Sequence, residues 1–201
     1  MMQPLIDWLG TFWKVLILPT PETFLQEAKK AEGKFASALG WMVFYAVYLY
    51  ILAGLGILHQ LLSAPTLIAL VLIIPLAVIL FTSAAYFLCR RISRQKETLY
   101  DKMFYLFVSI FLPVFFIMPL FLQLFSRDVF EILGFLLLFY QVGLLTIATK
   151  ALAGIQYWQA LVIVFLSIVA AALACIIALV TIYATVASPN VIHSVNSTNR
   201  K

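Results

Sequence analysis

The chain has very little charge. Charged residues make up 10% of its 201 residues and hydrophobic residues 65%, whereas soluble domains carry roughly 25% charged residues. No Asp, Glu, Lys or Arg occurs in the segments 35–89 and 151–199. A charged side chain at the centre of a bilayer helix costs about 2.5–3.5 kcal/mol on insertion scales. Charge-free apolar runs of this length therefore predict membrane-spanning helices and exclude a soluble globular domain.

Groups that catalyse reactions or hold metals are equally scarce. Cys89 and Cys175 lie in separate apolar runs without metal-ligand spacing, which favours packing residues over a disulfide. His59 and His193 are isolated from each other, and the sequence contains neither a Gly-rich phosphate loop nor a His-Glu-x-x-His motif. We therefore predict no enzymatic activity, no catalytic, cofactor-binding or metal site, and no cofactor.

The positive charge lies at the ends of the apolar runs. The net charge is +5, from 13 basic and 8 acidic residues. Lys and Arg at such positions contact anionic headgroups and set the orientation of a membrane protein. The predicted partner is accordingly the lipid bilayer, and nucleic acid is excluded.

The predicted fold is an all-α, polytopic membrane bundle of five transmembrane helices. About 20 apolar residues are needed to cross ~30 Å of hydrocarbon. The five predicted spans are about 35–58, 66–88, 103–125, 129–149 and 159–186. Pro75, Pro113 and Pro119 fall inside spans, where a proline kinks a helix and neighbouring helices satisfy the freed carbonyl groups.

The chain is divided into an N-terminal region at 1–34, a transmembrane domain at 35–186 and a short polar tail at 187–201. Residues 5–18 place Asp7, Thr11 and Lys14 on one side of a short apolar helix. This pattern predicts an in-plane amphipathic helix at the headgroup level; the alternative is an irregular apolar tail packed on the bundle. Thr20 and Pro21 are typical of a helix start, and the helix that follows, to about residue 33, is expected in water or at the interface.

The distribution of Lys and Arg predicts the orientation. An N-terminus in the cytoplasm places ten of these residues inside and three outside, in agreement with the positive-inside rule. The C-terminus then lies outside. The predicted location is a prokaryotic cytoplasmic membrane, with an endoplasmic reticulum or Golgi membrane as the alternative.

Two charged segments next to the spans have more than one interpretation. Asp128 and Glu131 precede the fourth span with the spacing of a capping box, which we favour over a cation site. The basic segment 90–96, in the loop 90–102, determines topology or binds anionic lipid, and both readings stay open. Glu97 and Asp101 in the same loop are expected to be solvated.

Polar residues inside the spans are few and no acidic residue lies at mid-depth, which argues against ion coupling through a buried carboxylate. Tyr140 and Gln141 are expected to hydrogen-bond across helices in a packing role. The polar residues within predicted spans include Gln123, Gln141, Thr146, Thr149, Ser167 and Thr181.

Two segments resemble the Yip1-domain family. One is 140–155, YQVGLLTIATKALAGI, followed by Trp158-Gln159-Ala160; the other is 18–24, LPTPETF. The first is similar to the family's fourth span and the turn into its last helix, and the second to the family's opening. The resemblance implies a compact, prokaryotic-type member that is not an enzyme, whose eukaryotic relatives act in membrane traffic. The long hydrophilic N-terminal region of those relatives is lacking here.

The predicted function is therefore that of a non-enzymatic, Yip1-like membrane protein that organises membrane or protein interactions. Its expected partners are lipid and either a second copy or other membrane proteins. The alternative is a small-solute or ion transporter or channel component, which the prolines and polar side chains within the spans favour.

Overall fold

The computed structural model of the chain describes residues 3–31, 34–54, 64–92, 99–124 and 127–198. Within these ranges the chain forms seven α-helices and no strand, which confirms the all-α prediction. The helices are α1 (Gln3–Ile17), α2 (Pro21–Lys30), α3 (Phe35–Gly54), α4 (Ala64–Ile92), α5 (Leu99–Leu124), α6 (Arg127–Ala153) and α7 (Tyr157–Thr198).

Five of these helices are long and apolar enough to cross a membrane, so the chain is an integral, multi-pass membrane protein. Their candidate spans within the described residues are Phe35–Leu52, Leu72–Ile92, Leu99–Phe116, Ile132–Ala153 and Tyr157–Thr181. Each overlaps one predicted span, because the same apolar runs define both.

Helices α4, α6 and α7 and the start of α5 extend beyond the predicted span ends. Two of these extensions alter the predicted loop and tail. Asp101 and Lys102, expected in the loop 90–102, lie on the first turn of α5. Helix α7 continues to Thr198 with 42 residues, or about 63 Å at 1.5 Å per residue. It therefore extends past residue 186 and is longer than a ~30 Å hydrocarbon core.

Helix α5 lies at the centre of the bundle. Of the residues in its candidate span 61% are buried, against 28–33% in the other four spans. Every side chain from Met103 to Ile110 is buried, so this segment is enclosed on all sides. Helices α1, α2, α3, α4 and α6 all contact α5, and α7 packs on α4 and α6.

Aromatic rings fill the contacts that α5 makes with α3 and α4. The Phe116 ring lies 4.9 Å from Tyr48 and 5.3 Å from Tyr45, and the Phe81 ring lies 5.2 Å from Phe107. Helix association in a bilayer depends on such close packing, since lipid tails are as apolar as the side chains. The Tyr48 hydroxyl also donates to the Phe116 carbonyl at 2.9 Å, one turn before Pro119. Cys89 and Cys175 are free and buried, as expected for packing residues.

A tight turn joins α6 to α7. Gly154 has a φ of +63° and its N–H donates to the Lys150 carbonyl at 2.9 Å, which is the left-handed helix ending that glycine adopts without a Cβ penalty. The Gln159 side chain then accepts a hydrogen bond from the Gln156 N–H at 3.1 Å, the back-bond of a capping box. The turn and cap together set the start of α7.

Candidate functional site

Helix α2 starts as predicted. Its N-cap Thr20 accepts a hydrogen bond from the Thr23 N–H at 3.3 Å, and Pro21 occupies the first helical position. One face of α2 packs against α5 and α6. Its exposed residues include Glu22 and Lys29, in line with the expected position in water or at the interface.

One acidic residue of α2 is buried, contrary to that expectation. Glu27 is 2% exposed and lies on the same face as the buried Phe24 and Ala28. Glu27 and Ala28 follow Phe24 by three and four residues, so they lie on the same side of the helix as Phe24. The expected position of α2 in water or at the interface did not include a buried carboxylate; Glu27 is buried because this side of α2 is covered by the helices that it contacts.

The Glu27 carboxylate has three polar partners. The Thr11 hydroxyl of α1 donates to Oε2 at 2.8 Å, and the Lys30 ammonium donates to Oε1 at 2.8 Å. The Lys14 ammonium of α1 lies 3.5 Å from the same Oε1. A buried carboxylate is costly unless it is paired and hydrogen-bonded, so these contacts join α1 to α2.

The cluster continues onto the transmembrane helices. The Tyr105 hydroxyl of α5 lies 3.5 Å from the Thr11 hydroxyl. Lys34, which directly precedes α3, places its ammonium 5.7 Å from the centre of the Tyr105 ring, within the range of a cation–π contact. Residues from α1, α2 and α5, together with Lys34 before α3, therefore form one connected polar cluster.

The sequence contains one signal for this cluster that was missed. Phe24, Ala28 and Ala31 form an apolar stripe on α2, and Glu27 falls on that stripe, where a charge has to find partners. For Tyr105 no such signal exists, since it is one of many aromatic residues in an apolar span.

The charges and hydrogen bonds around Glu27 and Lys30 favour the ionised form of the Glu27 carboxylate. Burial by itself raises the pKa of Glu27. The hydrogen bonds from Lys30 and Thr11, together with the charges of Lys30 and Lys14, outweigh burial and hold the pKa below its usual value of 4.5. The hydrogen bond to Glu27 raises the pKa of Lys30 above 10.5. Both groups are therefore charged at neutral pH.

A polar cavity of about 300 Å³ opens beside the cluster. Asp7, Thr11 and Lys14, predicted on one side of α1, all line it. Its lining residues are Ile6, Asp7, Gly10, Thr11, Lys14, Glu27, Lys30 and Lys34. These three residues lie on the side of α1 that faces α2 and Lys34; the amphipathic, interfacial character of the helix stays a prediction.

The outer side of α1 is apolar and exposed. Ile6 is 58%, Trp13 55% and Ile17 66% exposed, and Leu9 lies on the same stripe. The opposite side buries Phe12 and Val15. A helix with apolar residues on two sides suits a position between the bundle and lipid or a partner; its in-plane orientation stays a prediction.

A second cavity, of about 340 Å³, lies between α4, α5, α6 and α7. Apolar side chains line it, among them Val78, Phe81, Phe111 and Leu145, together with the Gln141 amide. It lies inside the candidate spans, so its surroundings are those of the hydrocarbon region.

Hydroxyl groups in the spans bond mostly to their own helices. Thr146 and Ser167 donate to the Val142 and Ile163 carbonyls, each at 2.7 Å. Such bonds satisfy a hydroxyl locally and leave it less suited to line a polar path. The buried Thr149 hydroxyl has no hydrogen-bond partner among the described residues.

Tyr140 and Gln141 make the cross-helix hydrogen bonds that were predicted. The Tyr140 hydroxyl donates to the Leu16 carbonyl of α1, and the Gln141 amide donates to the Ile110 carbonyl of α5 at 3.5 Å. Tyr140 thus ties the end of α1 to α6. The long Gln141 bond is weak.

Several predicted candidates lie outside the described residues or have undescribed side chains. His59 and residues 93–98, including Glu97, belong to the first group; Asp128, Glu131, Gln123 and His193 belong to the second. Of the basic segment, Arg90 and Arg91 are described and exposed. Its reading as a lipid-binding or topology-determining segment stays a prediction.

Fold and site define the class of the protein as a multi-pass helical membrane protein with an N-terminal helix pair attached through a buried carboxylate. Comparison with protein-family models, curated proteins and solved structures finds no match to the chain. Within the described residues no three His, Cys, Asp or Glu side chains are grouped to hold a metal. The Yip1-like character and the absence of enzymatic activity stay predictions.

Proposed function

We propose that the chain is a non-enzymatic, Yip1-like membrane protein that organises membrane or protein interactions through α1 and α2. The observation that carries this proposal is the attachment of the helix pair to α5 through Glu27, Thr11 and Tyr105. An attached pair holds its outer surface in a defined position, as an interaction surface requires.

The outer stripe of α1 provides that surface. Ile6, Trp13 and Ile17 are each more than half exposed, and large exposed aromatic and aliphatic side chains are typical anchors in interfaces. The expected occupant is another membrane protein or a second copy, with lipid around it. The N-terminal region contains four lysines, which suit the cytoplasmic side of the membrane because the positive-inside rule counts Lys and Arg rather than net charge.

Site-specific photo-crosslinking in living cells tests the proposal. A photoreactive phenylalanine analogue replaces Trp13 or Ile17 on α1, and, as matched control, the exposed Phe135 on α6. We expect discrete protein adducts from positions 13 and 17 that are absent at position 135. Lipid adducts alone at all three positions would contradict the proposal.

The alternative function is a small-solute or ion transporter or channel component. The cavity between α4, α5, α6 and α7 favours it, and Pro75 lies inside α4 beside the cavity-lining Ile73 and Ile74. Its apolar lining suits a hydrophobic molecule better than an ion. Flux assays in liposomes with an apolar and an ionic panel separate these cases; no flux with either panel rejects the alternative.

A further inference from the structure

We propose that the polar cavity between α1 and α2 binds a phosphate group, held by the ammonium groups of Lys14, Lys30 and Lys34. The inference goes beyond the proposed function and does not need its protein partner. The phosphate belongs to a lipid headgroup or to a soluble phosphate ester, because both present the same anionic oxygens.

The charges of the cavity favour an anion. Lys14, Lys30 and Lys34 line it together with Asp7 and Glu27, so the lining has one more positive than negative charge. A phosphodiester carries a single negative charge at neutral pH and would make the lining neutral.

The Glu27 carboxylate positions the ammonium groups rather than excluding an anion. Its side chain is 3% exposed, whereas the side chains of Lys14 and Lys30 are 58% and 53% exposed. Both ammonium groups approach one oxygen of this buried carboxylate, which brings them together at the cavity. An ammonium group has three N–H donors, so each lysine can keep its contact with Glu27 and also make a charge-assisted bond to a phosphate oxygen.

The cavity adjoins the end of a candidate span, the level at which lipid phosphates are expected. Lys34 lines it and directly precedes the candidate span Phe35–Leu52, so the cavity is at the end of that span and not within it. Its volume of about 300 Å³ is at the small end of ligand pockets, which start at ~300 Å³. This size suits a headgroup whose acyl chains stay outside, and it also suits a small soluble ester.

Ligand binding to the purified full chain in neutral detergent tests the proposal. The chain is titrated with phosphatidylglycerol, phosphatidylcholine or inorganic phosphate, and bound molecules are counted by native mass spectrometry. Lys34→Gln is the main variant, because Lys34 is not paired with Glu27 and its loss leaves both Glu27 ion pairs in place. Lys30→Gln is the second variant. Lys29→Gln is the matched control, since Lys29 is exposed on the same helix but does not line the cavity.

We expect Lys34→Gln and Lys30→Gln each to weaken phosphatidylglycerol binding about tenfold, the effect of losing one hydrogen bond to a charged group. Lys29→Gln is expected to leave binding within about twofold, as for an exposed charge. Binding of inorganic phosphate with the same lysine dependence, but not of phosphatidylglycerol, identifies a soluble ester as the source. Equal loss in Lys29→Gln and Lys34→Gln, or binding of neither anion, overturns the proposal.

Discussion

Two cavities among the described residues have nearly the same volume and opposite chemistry. The cavity between α1 and α2 measures about 300 Å³ and is lined by five charged residues; the cavity between α4, α5, α6 and α7 measures about 340 Å³ and is lined by apolar residues and one amide. Helix α5 contacts both regions, with Tyr105 near the polar cluster and Phe111 in the apolar lining.

This difference shows where the chain places its few charges. The apolar cavity lies within the candidate spans, where an unpaired charge is costly. The polar cavity lies next to the end of a span, where water and headgroups solvate charge. The contrast makes the polar cavity the stronger candidate for recognising a charged ligand, and assigns the apolar cavity to packing or to a hydrophobic ligand.

The largest expected effect is a loss of stability from substitution of a residue that lines the apolar cavity. Phe81→Ala removes a ring that is 3% exposed and packs on Phe107 and Phe111. We expect the free energy of unfolding to fall by about 3–5 kcal/mol, the cost of deleting a buried aromatic side chain. Unfolding of the full chain in mixed detergent measures it. The exposed Phe87 on the same helix is the control, and an equal loss in Phe87→Ala would contradict the packing role.

A smaller and more local loss of stability is expected from substitutions at the polar cavity. The double variant Lys14→Met and Lys30→Met leaves Glu27 buried without its ammonium partners, and we expect the attachment of α1 and α2 to weaken by roughly 3 kcal/mol. Hydrogen exchange of amides in 3–31 should rise while exchange in 103–110 stays unchanged.

The third substitution Glu27→Leu, added to this double variant, tests the cause. It removes the unpaired carboxylate, so protection of 3–31 should partly return. Lys29→Met is the control for lost surface charge. Exchange that rises equally in 103–110 would show that α1 and α2 do not open separately from the bundle.

The two regions are also expected to respond differently to pH. The lowered pKa of Glu27 gives stability that is present above its ordinary value of 4.5 and is lost as pH falls through the lowered pKa. The raised pKa of Lys30 gives stability that is complete below 10.5 and is lost as pH rises through the raised pKa. Protection of 3–31, corrected for intrinsic exchange rates, should be constant between these limits and fall outside them. The cost of Phe81→Ala should not follow this profile.

The smallest expected effect concerns the amide in the apolar cavity. Gln141→Leu removes a bond to the Ile110 carbonyl that is 3.5 Å long, and hydrogen bonds between membrane helices average about 0.6 kcal/mol. We expect a stability change within about 0.6 kcal/mol. A loss of several kcal/mol, measured by the same detergent unfolding, would assign the amide a structural role that its geometry does not support.

Much of the fold could be predicted from local patterns. The five spans follow from apolar runs, the start of α2 from Thr20 and Pro21, and the packing role of the cysteines from their surroundings. The helix ends were less predictable. Leu99 and Tyr100 extend α5 beyond its predicted start because they pack against the bundle, and α7 continues through a segment that composition marks as a tail.

The candidate site was largely not predictable. Helical spacing placed Asp7, Thr11 and Lys14 on one side of α1. The partners of this side come from distant parts of the chain: the two partners of the Thr11 hydroxyl lie 16 and 94 positions away. Helical periodicity reports which residues share a face and contains no information about which helix covers that face.

The membrane class, the number of spans and the scarcity of reactive groups follow from the amino-acid sequence alone, because transfer into hydrocarbon depends on each residue's own polarity. The assembled bundle was needed to show that Glu27 is buried, that Lys14, Lys30 and Lys34 line one cavity and that α5 is the central helix. These properties depend on contacts between distant segments, and close packing selects such contacts only when all the helices are assembled.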